Sequence, residues 1–150
     1  MSQSGLPTIA VLLTQVANAE ALAATCALNK IKAWAVPSPI GAYAVAQDAR
    51  PAQVEHLAKS VSALVKGVPA ILVVSTDGQM TATQWQDGAA TGTLPPALVL
   101  DGAPHELEDV LLGQTPATQI AGVVDAGSIG RFKAMRMLAS AAKTYNAKAD

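Results

Sequence analysis

The stretch with the strongest chemical signal is Asp125-Ala-Gly-Ser-Ile-Gly-Arg-Phe-Lys133, where an apolar run passes through a glycine-containing loop into a helical pattern. Arg131 and Lys133 fall in the first turns of that helix, where cations oppose the macrodipole at a cost of about 0.3–1 kcal/mol when exposed. An anion held on the free N–H groups there would reverse the sign. Gly127, Ser128, Gly130 and Arg131 are therefore the candidate anion site, suited to a small phosphorylated or carboxylated ligand. The spacing is neither GxGxxG nor the GxxxxGK of a phosphate loop. In the plainer reading Ser128 caps the helix and the cations are solvated.

Other reactive types are sparse. Cys26 is the sole cysteine, so no internal disulfide and no CxxC pair exist. It lies on an apolar stripe near the C-terminal end of a helical segment, the wrong end for lowering a thiol pKa, and reads as a small buried hydrophobe. His105 and Asp109 stand four residues apart, on one helix face, with His56 as a distant third donor. With two histidines in all and no HxH or HxxxH pair, no metal site is expected. A Gly-x-Ser-x-Gly elbow is missing too. Neither catalytic residues nor a cofactor are expected.

Composition narrows the classes further. Ten basic residues against eleven acidic ones leave a net charge of −1, with no basic stripe to collect phosphates, so nucleic acid is not an expected partner. A base-stacking sheet would need exposed aromatics on its middle strands, and only Trp34 and Tyr43 are on offer. An anion-holding arginine is absent from the first strand-to-helix loop, Gln15-Val-Ala-Asn18. At 51% hydrophobic and 14% charged, the chain has the makings of a packed core and not of a disordered tail. Its N-terminal residues lack a basic n-region, and Ile9–Leu13 is too short for a signal core. No apolar run approaches the ~20 residues of a membrane span. A cytoplasmic protein without a membrane partner is the expectation.

Hydrophobic periodicity supplies the elements. Thr8–Thr14 is a continuous apolar run, a strand buried on both faces. Ala17–Asn29 has helical spacing, with Asn18 as N-cap and Asn29-Lys30 as the stop. Ile31–Val36 and Ala42–Gln47 alternate across Pro37–Gly41, as a hairpin does. Pro51 opens a helix that carries Val54, Leu57, Val61, Leu64 and Val65, and Gly67 closes it. Pro69–Ser75 is a second doubly apolar strand, and Thr76-Asp-Gly78 turns it into the alternating edge strand Gln79–Trp85. Residues 87–93 read as a mobile loop and 97–100 as a short strand. Residues 101–112 read as a helix ended by Gly113, 120–124 as a last strand and 128–143 as a final helix. The expected core is Ile9, Val11, Leu13, Leu57, Val61, Leu64, Leu72 and Val74.

That order predicts a single α/β domain over 1–150. Residues 1–75 form a ferredoxin-like βαββαβ core, and residues 76–150 append a hairpin and C-terminal helices. The alternative is an open, mostly parallel three-layer sheet with helices on both sides. Two strands apolar on both faces need two covers. The candidates for the second are the 128–143 helix, the Met80/Trp85 hairpin or another subunit. In a chain only 3% aromatic, Met80, Trp85, Phe132 and Met135 are the interface candidates, since Met and Trp are enriched at contacts. The expected function is that of a non-catalytic module acting through self-association, as a homodimer or assembly subunit. The alternative is a binding protein or enzyme for the small anionic ligand at 125–133.

Overall fold

A computed structural model of the chain describes residues 8–65, 67–77 and 79–149, with side chains as far as Ser140. The elements are β1 (Ile9–Leu13), α1 (Ala19–Leu28), β2 (Ala33–Val36), β3 (Tyr43–Ala46), α2 (Pro51–Leu64), β4 (Ala70–Thr76), β5 (Gln79–Gln86), β6 (Ala89–Leu94), α3 (Pro96–Asp101), α4 (His105–Leu111), β7 (Val124–Asp125) and α5 (Arg131–Ala149). Single 3-10 turns stand at Ala117–Gln119 and Ala126–Ser128. The fold is mixed α+β: the described residues form five helices and one seven-stranded sheet in the order β6-β5-β4-β1-β3-β2-β7. Every pairing is antiparallel, which overturns the mostly parallel alternative. Among the described residues no helix is long and apolar enough to cross a membrane.

Strand periodicity sorts the core into two layers. Ala10, Leu12, Ala33, Ala35, Ala44 and Leu72 face α1 and α2. Val11, Val36, Tyr43, Val45 and Val73 face the other way. The first face is rich in alanine, so the helices seat close to the strands; the second carries bulkier groups.

The second face is closed by α4, whose Leu107, Val110 and Leu111 recur at three- and four-residue steps and are buried. Ala117 and Ile120 extend the cover. The 128–143 helix does not supply this layer, and of the hairpin's Met80 and Trp85 only Met80 joins it. Instead α5 packs on the back of α1, which leaves Phe132 79% and Met135 53% exposed while Ala134 is buried. Being pressed between sheet and α5 explains why α1 buries Ala24 as well as Leu22, Ala23 and Cys26.

Other local differences have physical reasons. Asn18 caps α1 as expected, its Oδ1 accepting the Ala21 N–H at 2.7 Å. At the far end, however, the left-handed residue is Lys30 (φ +59), not Asn29. The Lys30 and Ile31 amides donate back to the Ala27 and Cys26 carbonyls, the paired bonds of a Schellman stop. Leu64 is 57% exposed and outside the core. The stripe Val54, Leu57, Ala58 and Val61 continues through Val65, and Leu64 falls about 80° off it at 100° per residue.

Residues 87–93 are not a loop. Asp87 (φ +53) and Gly88 (φ +86) make a tight turn that pairs β6 with β5. The short strand at 97–100 is helix α3, opened by Pro96 at its first position. The helix read at 101–112 begins at His105, after Pro104. The strand read at 120–124 shrinks to β7, because Gly122 (φ +85) turns the chain against Pro37. The last helix starts at Arg131, after the 3-10 turn. Ile9, Leu13 and Val74 are half-buried rather than fully buried.

If α4 is the cover, Leu111→Ala should cost about 2–5 kcal/mol of stability in urea unfolding. Leu64→Ala should cost well under about 1 kcal/mol. Equal losses would show that the second layer is misplaced.

Candidate functional site

The loop that the sequence singled out is organised around its own acid. Asp125 is the last residue of β7, paired with Trp34. Its Oδ1 accepts the Gly127 N–H at 2.9 Å and the Gln47 side-chain amide at 2.5 Å. Ser128 does not cap α5; its hydroxyl donates to the Asp125 carbonyl at 2.9 Å. Gly130 precedes α5 and accepts the Ala134 N–H at 2.9 Å, and Arg131 is exposed. Gly127, Ser128, Gly130 and Arg131 therefore share one turn, and a carboxylate of the chain already holds the Gly127 amide.

The four interface candidates do not form one patch. Met80 leans on the second layer and Trp85 on the first, at the β5 end of the sheet. Phe132 and Met135 project from α5, which lies over α1. Trp85 is half-buried, and its indole N–H is buried without an acceptor.

Histidines and thiol are likewise separate. His56 on α2 has ring contacts to the Asn29 carbonyl (3.1 Å) and the Ser60 hydroxyl (3.3 Å). His105 begins α4, on the opposite side of the sheet. Among the described residues no three His, Cys, Asp or Glu side chains converge as a metal site would require. Burial pushes the Cys26 thiol up to about 12. Tyr43 is fully buried and its hydroxyl has no partner; burial, and then the charge of Glu106, pushes its pKa up to about 12. Neither group is set up as a nucleophile.

A cleft of about 350 Å³ opens between the sheet and the α4 layer, lined among others by Ile9, Trp34, Val45, Val110 and Pro116. Its polar lining is Thr8, Gln47, Thr115 and Thr118, and none of its lining residues ionises. That size admits a small molecule, but proton transfer would have no agent there. No family model, curated protein or solved structure matches the chain. What the residues offer therefore carries the functional argument.

Sequence reasoning missed one feature that the structure makes prominent. β6, Ala-Ala-Thr-Gly-Thr-Leu, is an exposed strand at the end of the sheet. The signal was present in Asp87-Gly88, the same dipeptide type that marked the preceding hairpin.

The buried thiol and phenol make stability fall in alkali. Folded Cys26 keeps its proton up to about pH 12, whereas an ordinary thiol loses it near 9.0. Above pH 9 the unfolded chain then binds fewer protons than the folded one, so stability drops as pH rises. The slope approaches about 1.4 kcal/mol per pH unit. Urea midpoints across pH 8–11 under reducing conditions check this. Cys26→Ala should move the onset to near pH 10, where an ordinary tyrosine such as unfolded Tyr43 titrates. A flat midpoint to pH 11 would contradict the burial of both groups.

Proposed function

We propose that the protein is a small, non-catalytic α+β module that acts by association, and that a second copy pairs its own β6 with the free edge of this one. The observation that carries the reading is β6 itself. Five exposed residues and the half-buried Leu94 end the sheet, and none is charged or proline. Natural sheets usually blunt such an edge with lysine, proline or inward charge.

Several features support self-pairing over other modes. Both faces of the central strands β4, β1, β3 and β2 are covered by the chain's own helices. The opposite edge, β7, is two residues long. An uncharged strand meets no like charge when it meets itself across a two-fold axis. One device does blunt the edge: a bulge opposite Gln84 and Trp85, where the Thr91 hydroxyl donates to the Gln84 carbonyl. Gly92–Leu94 remain as the regular stretch. A short edge buries less than the roughly 1,200–2,000 Å² of a standard interface, so affinity in the micromolar range is expected.

We also infer a ferredoxin-like core in residues 9–76, supported by the order β4-β1-β3-β2 and by α1 and α2 lying on one face. The absence of ionisable groups from the cleft lining fits a non-catalytic role. A cytoplasmic location suits an unpaired Cys26.

Sedimentation equilibrium tests the association. At tens of micromolar the mass should rise from 15.2 kDa toward twice that value. Thr93→Lys, which sets like charges across the axis, should return it to one chain. A constant 15.2 kDa at every concentration would overturn the reading. So would a dimer that survives Thr93→Lys and is lost with Phe132→Ser.

A further inference from the structure

We propose that the groove between the end of α1 and the start of α2 is a binding site for a small dianion of the phosphate-monoester type. This site is distinct from the β6 edge and from the 125–131 loop. The groove has a volume of about 190 Å³ and is lined by Lys30, Ile31, Lys32, Ala46, Asp48, Arg50, Gln53 and Leu57. That is room for a phosphate group and a few attached atoms, and less than drug-sized ligands occupy.

Three of the chain's ten basic residues converge there. Asp48 is the one carboxylate in the lining, and Arg50 already engages it. The Arg50 Nε donates to Oδ1 at 2.9 Å and Oδ2 at 3.0 Å, and Nη2 donates to Oδ2 at 2.5 Å. Those bonds hold Asp48 below the usual carboxylate range. Among the described residues Lys30 and Lys32 form no ion pair. The groove is left with a surplus of positive charge.

The backbone at the start of α2 is largely satisfied within the chain. α2 is a 14-residue helix whose N-cap, Arg50, gives no side-chain cap, and Pro51 at its start has no N–H. The Gln53 and Val54 amides both donate to the Arg50 carbonyl at 3.0 Å. The Arg50 N–H donates to Asp48 Oδ1 at 3.1 Å, so an acid of the chain already stands at the start of α2, and the surplus charge of the groove comes from its side chains. A dianion would accept charge-assisted hydrogen bonds from the two ammonium groups and from the guanidinium. Charge distribution favours its arrival: residues 67–130 contain none of the lysines and arginines and seven of the eleven acids. The cations are concentrated in the rest of the chain, so incoming anions are steered toward it.

Titration calorimetry with inorganic phosphate, and with glycerol phosphate as the ester, tests the site at constant ionic strength against chloride. Saturable binding in about the millimolar range or tighter is expected. Lys32→Ala and Arg50→Ala should each weaken it about tenfold, the loss of one charge-assisted contact. Lys30→Gly should weaken it without lowering the melting temperature, because glycine takes the left-handed conformation freely. Asp48→Asn should tighten binding, since it frees Arg50 and removes the competing carboxylate. Arg131→Ala should leave it unchanged. Tighter binding of the ester than of phosphate would identify a metabolite site, and equal binding a site for the free ion. Heat that does not saturate, or that chloride reproduces, overturns the proposal. So does a loss of binding with Arg131→Ala while Lys32→Ala and Arg50→Ala retain it.

Discussion

A sheet that is apolar on both faces has to be covered twice, and the rest of this molecule follows from that requirement. Leu12 and Val11 are adjacent in β1, point in opposite directions and are both fully buried. The first cover, α1 and α2, comes from the segments between the central strands and meets a surface of alanines. The second must come from elsewhere in the chain. The segment after β6 provides it, with Leu107, Val110 and Leu111 laid over Tyr43, Val45 and Val73. Once both faces are closed, what remains open is an edge. α5 is then free to lie outside, over α1.

Where side-chain period and local turn chemistry agree, the fold was legible in the sequence. Ile9–Leu13, the Asn18 cap, the Pro51 start of α2 and the apolar run of β4 all carry their signals within a few residues. The second half was harder for stated reasons. Ala89–Leu94 has no hydrophobic alternation, because both its sides are wet, so only Asp87-Gly88 announced it. Leu98 and Leu100 alternate like a strand, yet Pro95-Pro96 favours a helix start. Val123 and Val124 continue an apolar run that Gly122 bends away. Leu64 missed the core through a phase error of one position, Val65 being the residue on the stripe.

Sites were less legible than folds. The 125–133 segment attracted notice because its glycines and cations are contiguous, but contiguity let Asp125 satisfy the loop internally. The cationic groove, by contrast, joins Lys30 and Lys32 to Arg50 from across β2 and β3. No spacing rule links those positions. They meet because the α1 stop and the α2 start lie at the same end of neighbouring elements. Charge is also divided by layer: Asp101, Glu106, Glu108 and Asp109 all belong to the second cover, which has no cation. At the end of the sheet, β6 is neutral, which is what a strand that meets its own copy requires.

Amide hydrogen exchange as a function of protein concentration tests most directly the claim that the chain covers its own faces and leaves an edge to associate. The account predicts that amides of β1, β4 and α4 are equally protected in dilute and concentrated samples, while those of β6 gain protection only on concentrating. Protection of α4 that appears only at high concentration would mean that a second copy, and not this chain, closes the second face. Rapid exchange of β6 at every concentration would contradict the associating edge.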